Sequence, residues 1–169
     1  MLNYWASYDL LRGNYKLFIG KHGKEMTEDP FQLKDKVVAI TGASSGFGYH
    51  FAQVLAQKGA KLVIGARRKD KLEQCVREIE QASGHAKACE LDVLKKESVS
   101  DFLETAIETY GACDVLINNA GVEAGAKTYQ TTEEEDWDYV IDTNLKSVWL
   151  ASKISVSYTH LTLPTKRIV

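Results

Sequence analysis

The stretch Thr41-Gly42-Ala43-Ser44-Ser45-Gly46-Phe47-Gly48 constrains this chain more than any other. It follows a short apolar run, Val37-Val38-Ala39-Ile40, and precedes a helical pattern that starts at about Tyr49. A strand, a glycine turn and a helix in that order make an anion cradle. The free N–H groups and partial positive charge of a helix N-terminus attract phosphate. Gly42 permits the tight turn, Gly46 lets backbone approach a pyrophosphate, and Gly48 lets helix and strand pack closely. Ser44 and Ser45 add hydroxyl donors for phosphate oxygens. The spacing Gly-x-x-x-Gly-x-Gly is not the common Gly-x-Gly-x-x-Gly, and no Gly-Lys-Ser/Thr follows, so it is not a P-loop. An ordinary strand-to-helix turn is the bland alternative. The flanking strand and helix favour the nucleotide site.

From Lys36 onward strand and helix alternate. The strand at 37–41 leads into a helix to about Lys58, with Phe51, Val54 and Leu55 on one apolar face and Gly59 at its end. Leu62-Val63-Ile64 is the second strand. A helix over 69–82 carries Leu72, Cys75, Val76 and Ile79 at core spacing, and Gly84 closes it. A weaker strand spans 86–91. Val99, Phe102, Leu103, Ala106, Ile107 and Tyr110 form the next apolar helical face, stopped by Gly111. Val115-Leu116-Ile117 is the fourth strand, followed by a loop over 121–129. Thr132-x-x-Glu135 reads as a capping box for a long helix, and its acidic first turn (Glu133, Glu134, Glu135) suits the macrodipole. Trp137, Val140, Ile141, Leu145, Val148 and Trp149 supply its apolar side.

This alternation predicts an α/β fold: a doubly wound parallel sheet of Rossmann type, truncated after the fourth strand and its following helix. The domain is expected over 31–154. Residues 1–30 are poorly patterned. Leu10-Leu11 and Leu17-Phe18-Ile19 there could form a small docked helix, interrupted by Gly13, Gly20 and Gly23, and Met26 is a second plausible start.

The chain's 169 residues suffice for one domain with a sizeable core. Its formal charge of -2 gives no reason to expect nucleic acid or an anionic membrane as partner. The three cysteines, Cys75, Cys89 and Cys113, have no metal-ligand spacing and lie in apolar patterns. They read as small buried thiols in a reducing compartment, with no metal site. No apolar stretch is long enough to span a membrane, and the N-terminus lacks a signal-peptide run, so a cytoplasmic protein is expected.

Taken together, residues 41–48, Asp92 after the third strand, Asn118-Asn119-Ala120-Gly121 after the fourth, and Asp142-Thr143-Asn144-Leu145 in the long helix resemble the short-chain dehydrogenase/reductase family, classical type. The resemblance covers roughly 31–154. It implies an NAD(P)-dependent oxidoreductase that moves a hydride between nicotinamide and a carbonyl or alcohol, such as a 3-oxoacyl-type or other ketone. It implies cofactor contacts from Gly42, Ser44, Ser45, Gly46, Phe47, Gly48, Asp92, Val93, Asn118, Ala120 and Gly121. Asp92 would accept from the adenine amine; a helix-capping Asp is the alternative. Asn118-Asn119-Ala120-Gly121 offers amides and a glycine where a ribose approaches, or else a plain turn. Asn144 takes the place of the tetrad Asn, which holds a water in a proton relay. Outside that role it is a solvent-facing helical Asn.

Arg67 and Arg68 follow the second strand, where an acidic residue would hold a ribose 2′-OH and an Arg a 2′-phosphate. Ala66 stands at the acidic position. The pair favours NADP(H) over NAD(H), since a planar guanidinium suits phosphate; a solvated arginine pair is the alternative.

The resemblance implies a further Ser and a Tyr-x-x-x-Lys pair, expected to be missing here: no Tyr-x-x-x-Lys occurs after Asn144, and Tyr158 is followed four residues later by Thr162. Residues 156–165 back-translate into DNA resembling the transposase-end adapter of sequencing libraries, and Ser155 and Lys166 permit the flanking bases. The native sequence is therefore expected to stop at about Ile154, with 155–169 an artefactual tail. The chain as written is expected to be inactive. The full-length parent is expected to form a homodimer or homotetramer and to take a small-molecule carbonyl or alcohol substrate. Two further readings are a non-catalytic NADP(H)-binding or sensing module and an interaction protein that uses the long helix.

Overall fold

The computed structural model describes residues 4–9, 14–19, 24–25, 33–125 and 129–162. They fall into two units, Met1–Gln32 and Leu33–Val169. In the first, β1 (Tyr4–Asp9), β2 (Asn14–Ile19) and β3 (Lys24–Glu25) form an antiparallel sheet, with Tyr4 opposite Ile19 and Asp9 opposite Asn14. The expected helix at Leu17-Phe18-Ile19 is thus a strand. Aromatic and β-branched residues in both runs prefer a pleated surface. Leu10, Leu11, Gly13, Gly20, Gly23 and Met26 lie outside the described residues.

The second unit alternates β4 (Val37–Thr41), α1 (Gly46–Gln57), β5 (Lys61–Ala66), α2 (Lys69–Gln81), β6 (His85–Glu90), α3 (Lys96–Tyr110) and β7 (Val115–Ile117). The sheet is parallel, in the order β6-β5-β4-β7. The chain winds outward through β5 and β6, then crosses back to place β7 on the other side of β4. The winding direction reverses between β4 and β7, which opens a crevice at their carboxyl ends.

Period-2 side chains divide the core into two layers. Val38, Ile40, Leu62 and Ile64 pack against Ala52 and Ala56 of α1 and Leu72, Cys75 and Ile79 of α2. Val37, Ala39 and Val63 pack against Val99, Phe102, Leu103 and Ala106 of α3. Each fully buried Val, Leu, Ile or Phe stabilises by roughly 1.5–3 kcal/mol.

Three local expectations are corrected. On α1 the buried stripe is Gly48, Ala52 and Ala56, while Phe51 and Val54 are exposed. Only small side chains let the helix lie close to the sheet. After α2 the left-handed residue is Ser83 (φ 64°), not Gly84. The capping box is one residue later than expected: the Glu133 N–H donates to Asp136 Oδ2 at 3.3 Å.

The long helix is present but modulated. α4 (Glu134–Ile141) runs into a π-helical turn, Asp142–Lys146, and continues as α5 (Ser147–Thr162). Its buried residues in these turns are small, Thr143, Ser147 and Ala151. Trp137, Leu145 and Trp149, expected to face the core, are instead 59%, 64% and 59% exposed. The helix extends to Thr162; residues 163–169 lie outside the described set.

Candidate functional site

Thr41, at the end of β4, ties the two strand ends that flank the crevice. Its Oγ1 accepts the Asn119 and Ala120 N–H groups, both at 3.0 Å, and donates to Ile117 O at 3.4 Å. Asn119 returns the tie: its Nδ2 donates to Thr41 O (3.1 Å) and Gly42 O (3.2 Å). The glycine turn is thereby fixed against the segment after β7. A Cβ on Gly48 would run into Asn119 Nδ2 and come within 2.6 Å of Gly42 O. Gly42 (φ 71°) and Gly46 (φ 58°) both lie in the left-handed region.

The turn opens onto a cavity of about 340 Å³. Gly42, Ser44, Ser45 and Phe47 line it from the turn, and Ala66, Arg67 and Arg68 from the end of β5. Leu91, Asp92, Val93 and Leu94 line it after β6, and Asn119, Ala120, Gly121 and Val122 after β7. Tyr139 and Thr143 close it from the long helix. Most residues singled out in the sequence therefore converge on one wall system. The exceptions are informative. Gly46 and Gly48 shape the turn without lining the cavity. Asn118 turns away, its Nδ2 donating to Ser152 Oγ at 3.3 Å. Asn144 is also off the wall; its side chain grips the Val122 backbone in both directions, at 2.8 Å each.

Sequence reasoning missed Leu91, Leu94, Val122, Tyr139 and Thr143 as wall residues, and named Asn119 only within its four-residue motif. The Asn118-Asn119 pair carries no sign of which amide faces the turn. For Tyr139 and Thr143 a signal existed: they are four residues apart, hence on one helical face, and Thr143 lies beside Asn144.

The guanidinium groups are already engaged. Arg68 donates to Ser44 Oγ (2.9 Å from Nη2, 3.2 Å from Nε) and to Ser45 Oγ (2.6 Å). Each serine, accepting through oxygen, keeps its own hydrogen for an anion. Arg67 Nη1 donates to the Tyr139 hydroxyl at 3.3 Å. Asp92 makes a local turn, accepting the Leu94 N–H at 3.1 Å and pairing with Lys95 Nζ at 3.5 Å. It is not the N-cap of α3; Lys95 is.

The site fits a dinucleotide phosphate on two counts. The N-terminus of α1 has no side-chain cap bond at Ser45 and no acidic residue in its first turn, whereas α2, α3 and α4 each begin with acids. An anion there satisfies free N–H groups. Thr143 is one of the wall residues and 5% exposed, and its buried Oγ1 has no hydrogen-bond partner. A buried hydroxyl without a partner calls for a polar ligand atom. Among the described residues no group of three or more His, Cys, Asp or Glu is placed to hold a metal ion. Among them, too, no helix is long and apolar enough to cross a membrane.

Residues 36–160 match the family model for short chain dehydrogenases. The chain belongs to the short-chain dehydrogenase family. An uncharacterised oxidoreductase of Listeria innocua is 45% identical over 116 residues, covering 69% of this chain and 46% of that protein. A 3-oxoacyl-[acyl-carrier-protein] reductase of Thermotoga maritima is 37% identical over 127 residues, covering 75% and 51%. The chain spans about half the length of the curated relatives it matches. Among solved structures, a metagenomic short-chain oxidoreductase in complex with NADP has a TM-score of 0.69 at 34% identity, covering 75% of this chain and 57% of that one. A 3-ketoacyl-(acyl-carrier-protein) reductase from Brucella melitensis complexed with NADH has a TM-score of 0.67 at 36% identity, covering 72% and 48%. The parallel sheet with flanking helices is the fold these neighbours share with it.

Proposed function

We propose that this chain carries the dinucleotide-binding portion of an NADP(H)-dependent short-chain reductase or dehydrogenase acting on a small carbonyl or alcohol substrate. The observation that carries the cofactor choice is the end of β5: Arg67 and Arg68 both line the cavity, and Ala66 leaves no carboxylate there. Two guanidinium groups attract a 2′-phosphate, which a carboxylate would repel. Solved relatives bound to NADP and to NADH support the dinucleotide class.

In this reading the turn at 42–48 and the α1 N-terminus hold the pyrophosphate. Ser44 and Ser45 donate to it while Arg68 orders their hydroxyls. Asp92 and Val93 contact adenine, and Ala120 and Gly121 let the ribose approach. Asn118, bonded to Ser152, takes no direct part. When bound, the nicotinamide supplies or accepts the hydride. Asn144 holds Val122, and so the loop that borders the cavity, in place. The family's Tyr-x-x-x-Lys, which with a Ser moves the accompanying proton, does not occur after Asn144 in this sequence. The 169-residue chain is therefore proposed to bind without turning over, with catalysis, substrate choice and homo-oligomer formation belonging to a longer parent. A reducing, cytoplasmic setting is part of the same proposal, supported by three free thiols.

Calorimetric titration of the chain with NADP+ and NAD+ tests the reading. NADP+ is expected to bind at least about tenfold tighter, and Arg67→Gln to remove most of that margin, as loss of a charge-assisted contact should. Equal affinities for the two dinucleotides, or none for either, would overturn it.

A further inference from the structure

The Tyr139 hydroxyl stands on the long helix, yet it lies across the cavity from β5 and meets Arg67 there at 3.3 Å. We propose that Tyr139 is a specificity-determining residue, which fixes the Arg67 guanidinium for a 2′-phosphate and presents its own hydroxyl hydrogen to the same group. The inference rests on the NADP(H) reading above and names a residue that reading does not require.

The argument is one of hydrogen-bond inventory and of freedom. A guanidinium has five N–H donors and no acceptor; a phenol both donates and accepts. Arg67 therefore gives one N–H to the Tyr139 oxygen and retains the others. The phenolic oxygen, having accepted, directs its hydrogen elsewhere, and the cavity it lines is the direction open to a ligand. A phosphate dianion takes donors of both kinds. Arg67 is exposed, and an exposed arginine loses much rotamer freedom when it binds an anion. A partner that already holds it lowers that cost. Arg68 has a corresponding anchor in Ser44 and Ser45, so the pair is braced from two sides. Thr143, one helical turn beyond Tyr139, adds an independent sign that this helix face addresses a ligand, since the residue lines the same cavity and its buried Oγ1 has no partner. Nothing of this kind serves a ribose bearing only a 2′-OH, which offers no charge to Arg67. The contribution of Tyr139 thus belongs to NADP(H) selectively.

The test uses the 169-residue chain and its Tyr139→Phe and Arg67→Gln variants, titrated calorimetrically with NADP+, NAD+ and 2′,5′-ADP. The Phe ring keeps the packing, and circular dichroism melting confirms that the fold is retained. Tyr139→Phe is expected to weaken NADP+ and 2′,5′-ADP by about three- to tenfold, the size of one ordinary hydrogen bond, and NAD+ by less than about twofold. A merely structural role would lower both dinucleotides together, and that result overturns the proposal. So does unchanged NADP+ affinity in Tyr139→Phe. If Arg67→Gln loses NADP+ binding while Tyr139→Phe does not, the proposal fails and the NADP(H) reading stands. If wild type does not prefer NADP+, both fail.

Discussion

Thr41 is the residue on which the glycine turn depends. It is buried, and its one oxygen accepts two backbone N–H groups from the segment after β7. Valine has the same shape without the oxygen, so Thr41→Val leaves both donors unpaired in a partly buried place. Each unpaired donor costs about 1–3 kcal/mol, so a loss of about 2–6 kcal/mol is expected in urea unfolding, with weaker dinucleotide binding alongside. A loss below about 0.5 kcal/mol, the range of an ordinary surface change, would show that the tie is not what holds the turn. The sequence places Thr41 at the strand end but cannot announce this role. The motif names its glycines because they answer a backbone need that no other residue meets. Thr41 and Asn119 answer to each other across 78 residues, and the distance between them collapses only when β7 pairs with β4.

At the scale of elements, α1 and α2 are joined by a polar tie beside the core. The Tyr49 hydroxyl, in the first turns of α1, donates to Glu78 Oε2 on α2; Gln53 Nε2 donates to the same oxygen at 2.9 Å, and Gln74 to Oε1 at 3.0 Å. That bond pushes the Tyr49 phenol up to about 12 and draws the Glu78 carboxyl below its ordinary value. Burial, and then the Glu78 charge, push the neighbouring Cys75 thiol up to about 11. The signs follow by linkage. Tyr49 and Cys75 hold their protons longer folded than unfolded, so their stability is complete below about pH 9 and lost as pH climbs toward 11–12. Glu78 acts at the other end: its contribution is present above its ordinary value and lost as pH falls through the lowered one. Urea midpoints should be level from neutrality to about pH 9 and fall above it, and Cys75→Ala should flatten part of that fall. Midpoints that stay level to pH 11 would sink the account. The elements themselves were legible, because apolar runs and 3.6-residue faces mark β4 to β7 and α1 to α3. What failed was the choice of buried face where shape, not hydrophobicity, decides. Phe51 and Val54 look like core but stay outside, since the turn at Gly48 admits only alanines beneath α1.

For the Leu33–Val169 unit, the long helix exposes several large apolar side chains. Trp137, Leu145 and Trp149 are each more than half exposed along α4, the π-helical turn and α5, and Val156 continues the series. The hydrophobic pattern that reads as a core-facing side in the sequence is real, but the residues that this helix buries are the small Thr143, Ser147 and Ala151. On the sheet, β7 pairs only with β4 among the described strands, and Val115 is 40% exposed. Exposed aromatic side chains and an unpaired strand edge both favour association. Four side chains cannot by themselves supply the roughly 800 Å² per partner of a standard interface, so the association expected is weak, in about the micromolar to millimolar range. Sedimentation equilibrium should therefore give a mass that rises with concentration above the 18.9 kDa of one chain. Leu145→Lys and Trp149→Lys should return it toward that value. Neither residue lines the cavity, so NADP+ affinity should be unchanged in both. A wild-type chain that stays at 18.9 kDa across the concentration range would show that the exposed stripe drives no association between copies.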